Sequence, residues 1–356
     1  MTGQAFLAAL EQELDGLSTE TRAEALAFFK EYVAEAGDDL EAIAALGSPE
    51  MVAKELIEEL RARDILEEQI QEPVSVQTDW VQADKITAEL IDIDLKIKVA
   101  DVPKVSVNYD DRLSNLLSVT EQDGVLTIKQ LDRLPATSRV VSAQLLSRVV
   151  NFSKFSTGIS RMEVLVPRGL VLPALQITSE HSDVALFQLV ADKVSVTLGD
   201  GDLEVKGGQI AALLARLSNG DLDITDGIVS QGVLTLTNGD LDVTGSRIDE
   251  VRGKLANGDM EMSASRVSTA VFDLSNGDVE LAETDFSDMT IKVANGEVEV
   301  LLSDHQKAIT AIIATAVWGE YNVFGHSGEN NTYHHQPEKN QASLTVTSAS
   351  GDIEIH

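Results

Sequence analysis

Between residues 182 and 300, aliphatic and polar residues alternate on either side of a glycine that returns at a constant step of nineteen: Gly201, Gly220, Gly239, Gly258, Gly277 and Gly296. Three residues before it stand Leu198, Leu217, Leu236, Leu255, Leu274 and Val293. Two after it stand Leu203, Leu222, Leu241, Met260, Val279 and Val298, and four after it Val205, Ile224, Val243, Met262, Leu281 and Val300. Alternation on both sides of a turn predicts two short strands per unit, each with one buried face. A further apolar position, Ile210, Val229, Ile248, Val267 and Phe286, supplies a third inward contact.

The residue before the glycine is Asn219, Asn238, Asn257, Asn276 or Asn295, with Asp200 in the first unit. Asn-Gly between alternating runs is also the strongest local signal for a two-residue hairpin. A hairpin array would need equally regular chemistry at the other connection, which instead varies freely, as in TGSRIDEVRG against KGGQIAALLA. Like residues at a fixed step fit coils stacked at the ordinary strand spacing of about 4.8 Å. The pattern therefore predicts a single-stranded β-solenoid of about 19 residues per coil, with Asn-Gly-Asp turning one corner of each coil. Glycine accepts positive φ there, asparagine tolerates it, and stacked asparagine amides can bond along the column.

The first seventy residues follow another period. Phe6, Leu7, Leu10, Leu14 and Leu17 recur at three- and four-residue steps, as on one apolar helix face. A second helix carries Leu26, Phe29 and Val33 and stops at Gly37; LEAIAAL ends at Gly47; Ser48 and Pro49 restart the chain as N-cap and first helical residue. The fold class is thus mainly β with an all-α amino-terminal module. The divisions are a helical bundle over 1–70, a linker over 71–78 and a solenoid over 79–356. Within the last, 79–165 is irregular, 182–300 holds the regular coils, and 301–356 holds a loop and a closing coil. Further strands are expected at VSVNY, at the hairpin LSVTEQDGVLTIKQ and at MEVLVPRG. A core open at both ends needs covers. The helical bundle or segment 74–165 is expected at one end, and SLTVTSASGDIEIH, after a loop over 318–341, at the other.

Two resemblances attach to these patterns. Glu31, Tyr32 and Glu35, with Leu46-Gly47-Ser48-Pro49 and Ala53, resemble the helical signalling domain encoded beside PadR-type transcription regulators, the HAAS domain. The strand ending Val166-Pro167-Arg168-Gly169, followed by the stacked coils, resembles the bacterial β-solenoid family known as putative adhesins. Together the resemblances imply a role in cell-envelope stress responses or PadR-linked signalling.

Charge narrows the partners. With 27 Lys and Arg against 59 Asp and Glu, the formal charge of −32 opposes direct contact with nucleic acid or anionic lipid. The chain has no cysteine, which removes disulfides and thiolate zinc sites. Acidic residues near the start are unlike a secretory signal, and no apolar run is long enough to cross a bilayer, so a cytoplasmic, envelope-associated protein is expected.

Candidate chemistry is sparse. The pairs Asp202/Glu204, Asp221/Asp223, Asp240/Asp242, Asp259/Glu261, Asp278/Glu280 and Glu297/Glu299 form two outward carboxylate columns. A pair repeated six times on a flat face reads as a structural period, whereas catalytic acids converge in one cleft. Divalent cations are the alternative occupants, although the glycine-rich nonapeptide of calcium-binding β-rolls is absent. His326, Tyr333, His334 and His335 read as a polar loop. The basic, apolar segment 138–155 reads as an end-cap helix, with peripheral membrane contact as its alternative. No catalytic, cofactor-binding or metal residue is assigned, and no cofactor is expected. The function that emerges is a non-enzymatic interaction or scaffold protein, whose helical module binds a PadR-type regulator or an envelope protein. A surface adhesin or cation-binding solenoid is the alternative, and the oligomeric state is left open.

Overall fold

The computed structural model describes residues 83–134 and 161–356, the backbone of strand Ser75–Trp80, and residues 6, 9, 10 and 49. The chain divides into two compact units, one formed by 1–74 with 136–157, the other by 75–135 with 158–356. In the first unit, residues 6, 9, 10 and 49 are helical, and Phe6, Leu10 and Pro49 are buried. The remainder of the helical reading and all of segment 138–155 lie outside the described residues.

The second unit consists of two sheets facing each other across one apolar core. Each regular coil gives an eleven-residue strand to one sheet, such as Ile228–Asn238, and a four-residue strand to the other, such as Leu241–Thr244. Successive coils pair in parallel with a register of one repeat: Leu236 opposes Leu255 and Leu241 opposes Met260. The stacked coils of the solenoid are therefore observed, and the hairpin array is not.

The inward columns lie where the alternation placed them. Leu236, Leu241 and Val243 are each about 1% exposed or less, and Val229 joins them. The long strand adds two inward positions per coil that the repeat did not reveal, Val251 with Gly253 and Ala270 with Phe272 among them. They escape simple alternation because the strand re-phases once: Asp192 and Lys193 both face out between buried Ala191 and Val194.

The second corner also carries a period. Gly207, Asp226, Gly245, Ala264 and Glu283 all have φ between 48° and 65°. After them come the buried hydroxyls of Ser246, Ser265 and Thr284, which donate to carbonyl oxygens such as those of Thr244, Ser263 and Ala282.

Chain order and spatial order part at both ends. Residues 85–100 lie next to the coil at 174–187, because Lys85–Leu90 pairs with Ala174–His181 and Asp94–Ala100 with Val184–Phe187. The expected hairpin is present, Leu117–Gln122 against Val125–Gln130, turning through Asp123 and Gly124, both at positive φ. Strand Ser75–Trp80 lies within the stretch read as partly linker.

At the other end the expected closing coil is not outermost. Strand Ala342–Ser350 sits between Asp285–Asn295 and Thr310–Trp318, so the last residues of the chain insert beneath an earlier coil. Residues 318–341 are likewise more than a loop. His326–Glu329 and Thr332–His335 are antiparallel edge strands, one on each sheet. Among the described residues, all four outer edges of the two sheets thus end in antiparallel strands of six residues or fewer. Short edges limit pairing with other chains.

Candidate functional site

At the Asn-Gly-Asp corner three ladders run side by side. In the first, Asn238 Nδ2 donates to Asn219 Oδ1 at 2.7 Å, Asn257 to Asn238 at 2.9 Å, Asn276 to Asn257 at 2.9 Å and Asn295 to Asn276 at 3.0 Å. The ladder begins on a carboxylate: Asn219 Nδ2 donates to Asp200 Oδ1 at 2.6 Å, and His181 Nδ1 lies 2.6 Å from Asp200 Oδ2. The Asn219 amide, with His181 behind it, holds the Asp200 carboxyl below its ordinary range. The bonding foreseen for stacked amides is present.

The glycines form the second ladder, with φ between 132° and 149° from Gly201 to Gly296. The third is the first carboxylate column, whose role the sequence did not show. Asp202 Oδ1 accepts the Asp221 backbone N–H at 2.8 Å, and Asp221, Asp240, Asp259 and Asp278 each accept from the next coil at 2.7–2.8 Å. Aspartate is short enough to reach a corner N–H one strand spacing away, and a charged acceptor makes a strong hydrogen bond. These carboxylates are backbone supports.

The second column lies on the outer face of the short-strand sheet. Glu204, Asp223, Asp242, Glu261, Glu280, Glu299 and Glu354 follow one another in register across neighbouring strands. Like charges directly opposed across strands are unfavourable. Near the start of the column the Asp223 carboxyl is pushed up to about 6 by burial, then by Asp242, Asp221, Asp202 and Glu204. Asp242 is raised by burial and by Asp240 and Asp221, against a hydrogen bond with Asp223. Asp94, at the start of the corner column, is raised to about 6 by burial and by Asp183.

The outer face of the long-strand sheet has a different chemistry. Its columns carry Lys193, Arg216, Arg252, Lys254 and Lys292 beside Glu250, Asp273 and Asp288, interspersed with Thr, Ala, Val, Leu and Ile. Val233 is 47% exposed and Ile313 40%. One solenoid thus presents an acidic face and a nearly neutral one.

The histidines of the carboxy-terminal stretch do not converge. His326 stacks on Tyr333 with ring centroids 5.7 Å apart, Tyr333 meets Tyr321 at 5.5 Å, and His335 meets Phe324 edge-on at 5.2 Å. His334 is exposed. Among the described residues no group of three or more His, Cys, Asp or Glu is arranged to hold a metal ion. A shallow groove at the second corner is lined by Arg247, Arg266, Asp226, Glu283 and Asp285. Its arginines face Asp249 at 3.3 Å and Asp285 at 3.4 Å.

Comparison with known proteins adds two family matches. The Toastrack DUF4097 model matches residues 83–356, and the HAAS model matches residues 5–55. No curated protein matches the chain. Among solved structures, one described as a putative adhesin from Bacteroides fragilis aligns at 13% identity and a TM-score of 0.42, covering 79% of this chain and 97% of that one. One described as a putative lipid binding protein from Parabacteroides distasonis aligns at 12% identity and 0.46, covering 81% and 98%. A putative adhesin from the same organism aligns at 11% identity and 0.45, covering 79% and 96%.

Proposed function

Because the chain belongs to the Toastrack DUF4097 family through residues 83–356, with a HAAS match ahead of that domain, we propose that it is a non-catalytic interaction protein. Its helical module engages a PadR-type regulator or an envelope protein, and its solenoid offers the binding surface, at the cytoplasmic side of the cell envelope. The observation that carries this reading is the use made of the carboxylates. The corner aspartates, the groups best suited by number and position to acid–base work, are each engaged on a backbone N–H of the next coil. What recurs outward is a set of flat columns, the kind of surface that repeat proteins use for extended partners. Size-exclusion chromatography of the full chain mixed at micromolar concentration with the PadR-type regulator encoded nearest to it tests the proposal. Co-elution as one complex is expected; independent elution of both proteins would remove the regulator from it.

A further inference from the structure

We propose that the outer face of the long-strand sheet is a homodimer interface, on which a second copy of this chain packs face to face about a two-fold axis parallel to the stack of coils. Three outward rows cross the strands of this face. The middle row contains Leu214, Val233, Val271 and Ile313, with threonines at 290 and 345. The rows on either side differ in charge. One holds Glu250 and Asp288, with Lys193 in its first strand; the other holds Lys254 and Lys292 in the same strands, four residues further on, with Arg216 and Asp273 among them.

Rotation about an axis lying along the middle row turns each strand antiparallel to its own image and exchanges the two flanking rows. Lys292 then lies over the partner's Asp288, Lys254 lies over the partner's Glu250, and the apolar middle row meets itself. This is the self-complementarity that an isologous interface requires. Arg252 interrupts the apolar row, but its guanidinium is held by Glu250 of its own chain at 3.2 Å. Glu250 thus stands between Arg252 of its own chain and the partner's Lys254, shared by both.

Two further arguments select a second copy as the occupant. A chain of formal charge −32 repels itself over most approaches, and the short-strand face, with its ladder of acids, repels most. The long-strand face is where two copies can meet without that penalty. Its size also suffices: eight strands about 4.8 Å apart and six residues of about 3.3 Å each span roughly 38 Å by 20 Å. That is roughly 750 Å² on each copy, near the ~800 Å² per partner of a standard interface.

Sedimentation equilibrium of the full-length protein over a concentration series tests the proposal. A monomer–dimer equilibrium is expected, and it should tighten as sodium chloride screens the net repulsion. Val233→Asp with Ile313→Asp should weaken dimerisation roughly tenfold or more while leaving circular dichroism unchanged, and the melting midpoint unchanged at concentrations low enough that both proteins are monomeric. Lys292→Glu should weaken it and Asp288→Lys in the same chain should restore it, because the two-fold places both new charges opposite each other. A protein that is monomeric at every concentration and salt overturns the proposal. So does a dimer indifferent to the Val233 and Ile313 changes, or a charge swap that restores nothing.

Discussion

Phe272 occupies the space that Gly253, one coil earlier, leaves by having no side chain: a Cβ on Gly253 would overlap the Cδ1 and Cε1 atoms of the Phe272 ring. Both lie on the inward face of the long strands and oppose each other in register. Core packing here is settled between coils, with a large residue leaning over a small one. Gly253→Ala is expected to cost about 1–3 kcal/mol through overpacking. Phe272→Leu in the same chain should recover part of that loss, which urea titration of the two single variants and the double variant would reveal as non-additivity.

The corner glycines carry a second, sharper constraint. At Gly239, with φ of 146°, a Cβ would overlap the carbonyl oxygen of Gly220 in the coil before. Gly325 also has positive φ, 81°, but nothing lies within 4 Å of a Cβ placed there. Thermal melts should therefore separate the two: Gly325→Ala costs about 1 kcal/mol for its conformation alone, whereas Gly239→Ala costs about 3 kcal/mol or more. Equal losses would mean that close approach of the coils is not the constraint.

For the corner carboxylates the expectation turns on which atom matters. Asp240 Oδ1 accepts the Asp259 N–H at 2.7 Å. Asp240→Asn keeps an acceptor oxygen and removes a charge from a crowded column, so it should match or exceed the parent in denaturant midpoint. Asp240→Ala loses the acceptor and should cost about 1 kcal/mol. If both variants behave alike, the backbone role assigned to this column is wrong.

The acidic face predicts a pH dependence. With its carboxyl near 6 in the folded protein, Asp223 sits above the ~3.9 of an unfolded aspartate, so the folded state binds the extra proton between these values. Its contribution to stability is therefore greatest below about 4 and is lost as pH rises through about 6. Asp223→Asn should melt higher than the parent at pH 7.5, with the gap closing by pH 4. A gap that is constant across this range would contradict the assignment.

Cations offer a related check. Sodium chloride should raise the melting midpoint by screening the in-register acids. Calcium at matched ionic strength should do the same and no more, since it needs six or more oxygens and one oxygen of each corner aspartate is already engaged. A rise specific to calcium and reversed by chelator would point to a bound ion.

Legibility in the sequence followed the physics of each position. The Asn-Gly-Asp corner could be read because Gly239 and its equivalents permit one residue only and the amide ladder rewards another. The second corner was hidden because its left-handed position is filled by Gly207, Asp226, Gly245, Ala264 and Glu283, no one of which is required. The two further inward positions of each long strand, such as Val251 and Gly253, were hidden for the opposite reason: Gly253 and Phe272 share one space between neighbouring coils, so neither position has a type to repeat. The displaced order at the ends, with 342–355 beneath 310–323, depends on long-range pairing that no local period encodes. The acid columns were visible as a pattern, but only geometry divided them into a backbone support and an exposed, repelling ladder.

Parallel stacking of nineteen-residue coils can be measured directly, because the chain has no cysteine to interfere. Thr225 and Thr244 oppose each other in adjacent parallel strands of successive coils, within the reach of a disulfide. Thr235 and Asp242 would oppose each other if Asn238-Gly239 closed a two-residue hairpin, but they belong to different sheets. Under mild oxidation, the variant with cysteines at 225 and 244 is expected to close an intramolecular disulfide in high yield, and the variant with cysteines at 235 and 242 is not. Closure of the second pair in place of the first would mean that each repeat folds back on itself as a hairpin, and the stacked-coil account would fail.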